Sequence, residues 1–441
     1  MPQRPGDPIK ISAIHAPFHG RVLLPGSKSI TNRALALASV ARGPSILTGV
    51  LLADDTRCMI DALRQLNIPI TIHEAAREIR IEGAAGPFNH PAADLFCQNA
   101  GTAIRFLTAL CAASPGKYTL DGTARMRLRP IGQLIEALGV LGSPVKFLAN
   151  HGYPPLMAGG GIGGGQCSFE SAQSSQYISA VLIAAPLATS PVDIKLVGPV
   201  TSEPYVRMTI SMMQAFGVTV ESSLSADMQV RNLRVASPAY YTGCPYAIEP
   251  DASNASYFLA AAAVIPGSSM TIPGLGRYSL QGDVLFGDVL RQMGADVLMD
   301  RNEIRLTGPR RLEGITIDMN AIPDMVQTLA VVAMFADSPT RIVNVPNLRL
   351  KETDRLAALE TELKKLGAGV RTTADSIEIF PATSYKPAAL DTYDDHRMAM
   401  AFAVAGLRID GVQINDPQCT AKTYPDFFSD FSAALRARPP H

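Results

Sequence analysis

Residues 175–188, SQYISAVLIAAPLA, followed at residues 204–217 by PYVRMTISMMQAFG, set the pattern on which the chain is built. The first stretch is apolar around almost its whole circumference at helical spacing, which predicts a helix buried on every side. The second is polar on one side only, which predicts a helix with a solvent face. Short alternating runs such as VTVESS, residues 218–223, read as strands.

Working outward, the same pairing recurs along the chain. Nearly all-apolar stretches occupy residues 32–43, 103–116, 254–267, 325–338 and 397–406, and amphipathic stretches occupy residues 55–66, 129–141, 282–294, 352–367 and 425–437. The apolar helices start roughly 70 to 80 residues apart, which is a repeat period. The predicted unit is strand, helix, strand, helix and two strands, present six times, an α/β fold of two domains with three units each. One domain is discontinuous, residues 1–24 with 249–441; the other, residues 25–248, is inserted into it.

A buried helix presents unpaired N–H groups and a positive dipole end at its start, where an anion fits. Polar residues stand at these starts: Ser27, Lys28, Ser29 and Arg33; Asn99, Gly101 and Thr102; Ser174, Ser175 and Gln176; Asp251 to Asn254; Asp324; Asp395, His396 and Arg397. Were the six starts to face one interdomain cleft, that cleft would also gather Arg125, Lys351, Arg355 and Lys422 and suit a ligand carrying several carboxylates or phosphates.

Composition narrows the partners. The 441 residues are 47% hydrophobic, enough for large cores, and 39 basic residues balance 39 acidic ones. Without a global field, neither nucleic acid nor an anionic membrane is an expected partner, and anions must be held by local clusters. Residues 1–10 lack the apolar segment of a signal peptide and no apolar run reaches membrane length, so the cytoplasm is the expected compartment. Six scattered cysteines show neither CxxC nor metal spacing and read as reduced thiols, with no metal expected.

Residues 347–355, NLRLKETDR, concentrate charge, as do residues 393–397, YDDHR. On a helix begun near Lys351, Lys351 and Arg355 lie four apart with Glu352 beside them, so two cations and a carboxylate share one volume. A solvated helix face with ordinary ion pairs fits KETDR as well. Residues 26–29, GSKS, lack the spacing of a phosphate-binding loop. The glycines of residues 159–165 follow no strand and open no helix, so they read as a loop and not a dinucleotide site. Asp394 and Asp395 read as helix caps and His396 as a structural histidine. Ser174 and Ser175 suit caps and phosphate contacts equally.

The segments LPGSKSITNRAL, NAGTAIRFL, RMRLRPIG, SSQYISAVLIAAP, SEPYVRMT, NLRLKETDRL, YDDHRMAMAF and DPQCTAKTYPDF together resemble the 5-enolpyruvylshikimate-3-phosphate synthase family of enolpyruvyl transferases, essentially end to end. The resemblance implies a two-domain inside-out α/β barrel of six βαβαββ repeats, three per domain, with the active site in a cleft that closes. It implies transfer of the enolpyruvyl group of phosphoenolpyruvate to the 5-hydroxyl of shikimate 3-phosphate with release of phosphate, on the route to chorismate and the aromatic amino acids, by a monomer using no cofactor and no metal.

Position by position, the resemblance assigns catalysis to Asp324, Glu352 and Lys28. It implies phosphoenolpyruvate contacts from Lys28, Gly101, Arg125, Gln176, Arg355, Arg397 and Lys422. Shikimate 3-phosphate falls to Lys28, Ser29, Arg33, Ser174, Ser175, Gln176, Ser202, Tyr205, Asp324, Asn347 and Lys351. The chain departs from the family pattern GNAGTAMRPL at Gln98, Ile104 and Phe106, and at Gln418 where a lysine is frequent. The changes behind Gly101 imply weaker inhibition by glyphosate, which occupies the phosphoenolpyruvate pocket in this family. Residues 121–130, DGTARMRLRP, lack the cysteine of the sister enzyme acting on UDP-N-acetylglucosamine. Three alternatives stay open: a paralogue acting on another phosphorylated cyclitol; the UDP-N-acetylglucosamine enzyme, against which the absent cysteine argues; and a non-catalytic anion-binding protein, against which the acid/base pair argues.

Overall fold

The computed structural model describes residues 6–225 and 230–436. Half of the N-terminal decapeptide read for a leader, and Ala437 at the end of the last amphipathic stretch, lie outside these residues. The chain forms two compact units, unit 1 from residues 1–25 with 249–441 and unit 2 from residues 26–248. Gly26 opens unit 2 where a Cβ would stand 1.9 Å from the Gly49 carbonyl oxygen, so no larger residue fits this backbone approach.

The helices alternate in kind. Unit 2 carries α1 (Lys28–Val40) and α2 (Asp54–Gln65), α3 (Gly101–Ala112) and α4 (Gly132–Val140), α5 (Ser175–Ala184) and α6 (Pro204–Ala215). Unit 1 carries α7 (Ala252–Val264) and α8 (Phe286–Gln292), α9 (Val326–Ala333) and α10 (Arg355–Leu366), α11 (His396–Gly406) and α12 (Phe427–Leu435). Every residue of α3, α7, α9 and α11 is buried, whereas even-numbered helices keep an exposed side. Alanine-rich sequence such as Ala260–Ala263 lets buried helices approach closely, and the Leu and Phe side chains between them each contribute about 1.5–3 kcal/mol of burial.

The strands form small separate sheets, none closed on itself among the described residues. Within each four-stranded sheet the first two strands run parallel and the last two complete an antiparallel hairpin. Leu156–Gly159, for example, lies between Lys117–Asp121 and Lys146–Phe147. Two first strands are exchanged relative to chain order. His19–Arg21 precedes α1 yet pairs with Ser269–Pro273 of unit 1, and Pro245–Ala247 precedes α7 yet pairs with Pro44–Thr48 of unit 2. Each crossing of the chain falls between a strand and its helix, so each strand stays with the unit it leaves. Among the described residues the sixth repeat shows no hairpin of its own: Ile9–Lys10, from the other end of the chain, pairs antiparallel with Gln413–Ile414. Contrary to the sequence reading, the glycine-rich residues 160–164 do follow a strand, Leu156–Gly159, but they run into strand Gly165–Glu170 with no helix between, so they remain a loop and open no dinucleotide site.

Candidate active site

In unit 1 a cluster of charge is built where α9, α10 and α11 begin. Asp395 caps α11 by accepting from the Arg397 N–H at 2.9 Å, and a turn of 3-10 helix, Pro323–Met325, sets Asp324 at the start of α9. The helix expected from Lys351 starts later. Asp354 is the N-cap, accepting from Ala357 N–H at 3.0 Å and held by two bonds from Arg349, so α10 begins at Arg355 and Lys351 lies on extended backbone before it. The shared volume survives that correction. Asp324 takes Arg355 at 3.0 Å and Lys351 at 3.4 Å on one oxygen, and Arg397 at 3.0 Å on the other.

Arg355 organises this cluster. Its side chain is 1% exposed and its three nitrogens reach Asp395 at 2.7 and 3.2 Å, Glu352 at 3.0 Å and Asp324. Burial works against its charge, but Asp395, Glu352 and Asp324 together hold its pKa above the ordinary arginine value. For Asp324, burial acts to raise the pKa, and Arg397, Lys351 and Arg355 outweigh it, leaving the carboxyl well below the usual aspartate range. Asp324 is therefore an anion with a fifth of its side chain still exposed.

A depressed folded pKa stabilises the protein above the unfolded aspartate value, about 3.9, and the contribution is lost as pH falls below it toward the folded value. Asp324→Asn is expected to melt below the parent protein at pH 5, with the gap narrowing toward pH 3 in thermal melts. A constant gap would contradict the electrostatic origin.

Asn347 is buried in the 3-10 turn Pro346–Leu350, and Lys422 ends the turn Pro417–Lys422 in a half-buried position. The sequence set Asp395 and Ser253 at buried helix starts without showing whom they touch. Asp395, read as a cap only, also chelates Arg355, and Ser253 accepts from Arg397 at 3.3 Å while donating to Asp283 at 2.5 Å.

Unit 2 contributes its own polar cluster. Lys28, first residue of α1, pairs with Asp55 at the start of α2 at 3.2 Å. Ser174 caps α5, accepting from the Gln176 N–H at 3.3 Å, and Ser175 is buried beside it. Gln176 then joins helices: its Oε1 accepts from Arg105 at 2.5 Å and its Nε2 donates to Thr102 at 3.2 Å. Arg105 also donates to the Pro130 carbonyl at 3.1 Å, and Arg129 donates twice to Asn99 at 3.0 Å. Arg105 and Arg129 stand inside NAGTAIRFL and RMRLRPIG, so the motifs that carried the resemblance contained them.

Gly101 opens α3 between these guanidinium groups. A Cβ there would lie 2.6 Å from Arg129 Nη2 and 3.1 Å from Arg105 Nη1, so the missing side chain makes room for the arginines. Arg125 precedes the 3-10 turn Met126–Leu128.

Arg33 is almost wholly buried and among the described residues meets neutral groups: Thr209 at 2.7 Å, Ser179 at 3.3 Å, the carbonyls of Ser29 and Tyr205, and the rings of Phe106 and Tyr205 with centroids 5.1 and 5.6 Å away. Burial without a carboxylate pulls its pKa down to about 10. Phe106, expected to pack behind Gly101, thus also bears on Arg33. Ser202, buried with a left-handed φ of 58°, accepts the Tyr205 N–H at 3.0 Å. Among the described residues no cluster of His, Cys, Asp and Glu suits a metal ion, and no helix is long and apolar enough to cross a membrane.

Comparison with known proteins gives this arrangement a family. The family described as EPSP synthase (3-phosphoshikimate 1-carboxyvinyltransferase) matches residues 13–431. A 3-phosphoshikimate 1-carboxyvinyltransferase of Nostoc sp. (strain PCC 7120) is 44% identical over 426 residues, covering 96% of this chain and 99% of the relative. One of Edwardsiella ictaluri (strain 93-146) is 44% identical over 422 residues, 96% and 97% of the two chains. The solved EPSP synthase of Acinetobacter baumannii, at 24% identity, shares the fold with a TM-score of 0.79 over 97% of this chain and 98% of its own. The chain belongs to the EPSP synthase (3-phosphoshikimate 1-carboxyvinyltransferase) family.

Proposed function

We propose that this chain transfers the enolpyruvyl group of phosphoenolpyruvate to the 5-hydroxyl of shikimate 3-phosphate, releasing phosphate. The observation that carries this reading is the unit 1 cluster, where Asp324 and Glu352 stand among Lys351, Arg355 and Arg397 in a member of this family. Such a cluster supplies what the reaction needs, carboxyl groups to move protons and fixed cations to hold anions.

The chemistry runs as addition and elimination. Glu352 gives a proton to the methylene carbon of phosphoenolpyruvate, and the neighbouring carbon becomes electrophilic. The acceptor hydroxyl adds to that carbon and passes its proton to Asp324. In the tetrahedral adduct the C–O bond to phosphate breaks, the departing phosphate takes up the proton that Asp324 had accepted, and the methyl carbon returns a proton to Glu352, leaving the enol ether and inorganic phosphate. Asp324 in its resting state is a weak base because three cations hold its charge. Anionic ligands that share Arg397 and Lys351 weaken that pull and raise the basicity of Asp324 where the hydroxyl proton must go.

Binding roles follow the family resemblance, position by position. Lys28, Gly101, Arg125, Gln176, Arg355, Arg397 and Lys422 serve phosphoenolpyruvate, and Lys28 joins Asp324 and Glu352 in catalysis. Ser29, Arg33, Ser174, Ser175, Gln176, Ser202, Tyr205, Asn347 and Lys351 serve shikimate 3-phosphate with Lys28 and Asp324. Arg33 suits this role because a buried cation with neutral partners gains most from an arriving phosphate. The protein acts as a cytoplasmic monomer.

The test is phosphate release from phosphoenolpyruvate by the purified protein, with shikimate 3-phosphate, with UDP-N-acetylglucosamine, and with neither. Release only with shikimate 3-phosphate supports the assignment; release that ignores the acceptor overturns it. The same assay measures glyphosate. Weak inhibition of the parent protein, strengthened in Phe106→Pro, is expected if Phe106 shifts the Gly101 to Thr102 backbone, and equal inhibition constants would reject that effect.

A further inference from the structure

One buried carboxylate of unit 1 has no part in the chemistry. Glu362 lies on α10 seven residues after Arg355, on the same face of the helix and about 10 Å further along it. It is fully buried. One oxygen accepts from the Asp391 N–H at 3.0 Å and from Lys365 at 2.7 Å; the other accepts from the Tyr393 hydroxyl at 2.7 Å. Lys365 also reaches Asp391 at 2.8 Å, and Asn415 donates to Asp391 at 2.7 Å.

The segment so gripped leads directly into Asp395 and Arg397. Its last two residues, Tyr393 and Asp394, hold left-handed φ angles of 57° and 53°, a conformation uncommon outside glycine that persists only where surroundings enforce it. One face of α10 therefore touches the start of α11 twice: Arg355 on Asp395, and Glu362 on Asp391 and Tyr393. Two ties about two turns apart fix rotation as well as distance, which one tie cannot do. Burial, helped by Glu362, pushes the Tyr393 hydroxyl up to about 12, so it remains a donor to Glu362 throughout the working range of pH.

We propose that Glu362 is a positioning residue: by holding the turn before α11 it sets the placement of Arg397 against Arg355 and Asp324, and so the affinity for phosphoenolpyruvate. The inference rests on the assignment of Arg355 and Arg397 to that substrate.

Glu362→Gln keeps the shape of the side chain but weakens its grip on Lys365 and the Asp391 N–H. It is expected to raise the KM for phosphoenolpyruvate about tenfold and leave the KM for shikimate 3-phosphate within about twofold. Tyr393→Phe removes one bond from a partly exposed ring, needs no refolding of the core, and is expected to raise the same KM about threefold. The double variant should be no weaker than Glu362→Gln alone, because both act through one tie. A merely structural residue would lower the melting temperature and the active fraction without separating the two KM values.

Amide hydrogen exchange at residues 391–397 gives a readout that needs no substrate. Faster exchange in Glu362→Gln supports the proposal even if the parent protein fails to release phosphate, an outcome that would fault the assigned reaction alone. An unchanged phosphoenolpyruvate KM in an active Glu362→Gln protein, or unchanged exchange at residues 391–397, overturns it.

Discussion

Glu352→Gln is expected to lower turnover about 10³-fold, within the range typical of a lost general acid, while the protein stays folded. The side chain is 8% exposed and accepts from Arg355 Nη2 at 3.0 Å. Glutamine matches its size and still accepts that bond, so the loss in stability should be about 1 kcal/mol. What glutamine cannot do is give a proton to the methylene carbon. The KM values should move little, because the amide keeps the cluster's geometry. Steady-state kinetics with both substrates check this, and a fall of less than tenfold would assign the proton to another group.

The second large effect is on stability. Arg355→Met should destabilise the protein by about 3–5 kcal/mol, since removing one partner of a buried ion pair leaves the others desolvated and uncompensated. Here three carboxylates lose their common cation at once. Asp324 keeps Lys351 and Arg397, but Asp395 is fully buried and Glu352 nearly so. Methionine fills much of the volume, so the loss is one of charge more than packing. Chemical denaturation followed by circular dichroism measures it, and the deficit should shrink as acid protonates the stranded carboxylates. A loss below about 1 kcal/mol, in the range of an exposed pair, would contradict the central place given to Arg355.

Much of this was legible in the residues because burial writes itself as composition. A helix surrounded by other helices must be apolar around its circumference, and α7 and α11 show this as alanine-rich runs opened by Asp251 and Asp395. The exchanged strands were not legible. His19–Arg21 and Pro245–Ala247 have three residues each, too few to show a period, and neither states which parallel neighbour it joins. That the sixth repeat shows no hairpin of its own among the described residues was hidden for the same reason, since the substitute Ile9–Lys10 has two residues.

At the site, residue types were readable and their roles only in part. KETDR suggested a helix from Lys351 because its charges fall four apart, but Asp354 caps α10 and the loop carries Lys351 to Asp324 instead. Asp395 was read as a cap, a role any short acid fills; that it also holds Arg355 depends on helices forty residues apart in sequence meeting in space. Arg33 shows the opposite limit. Its charge is plain in the sequence, whereas its burial among Thr209, Ser179, Phe106 and Tyr205 is a property of the assembled helices.

The central claim is that a carboxylic acid of this cluster protonates the methylene carbon before phosphate leaves. Running the reaction in heavy water and reading the product's vinyl group by NMR tests it most directly. The adduct's methyl group rotates freely, so elimination should leave solvent deuterium in the vinyl methylene of the product, and Glu352→Gln should suppress product and label together. Enol ether formed at the parent rate with no deuterium at that carbon would contradict protonation, and with it the reading of Glu352 and Asp324 as the pair that moves the protons.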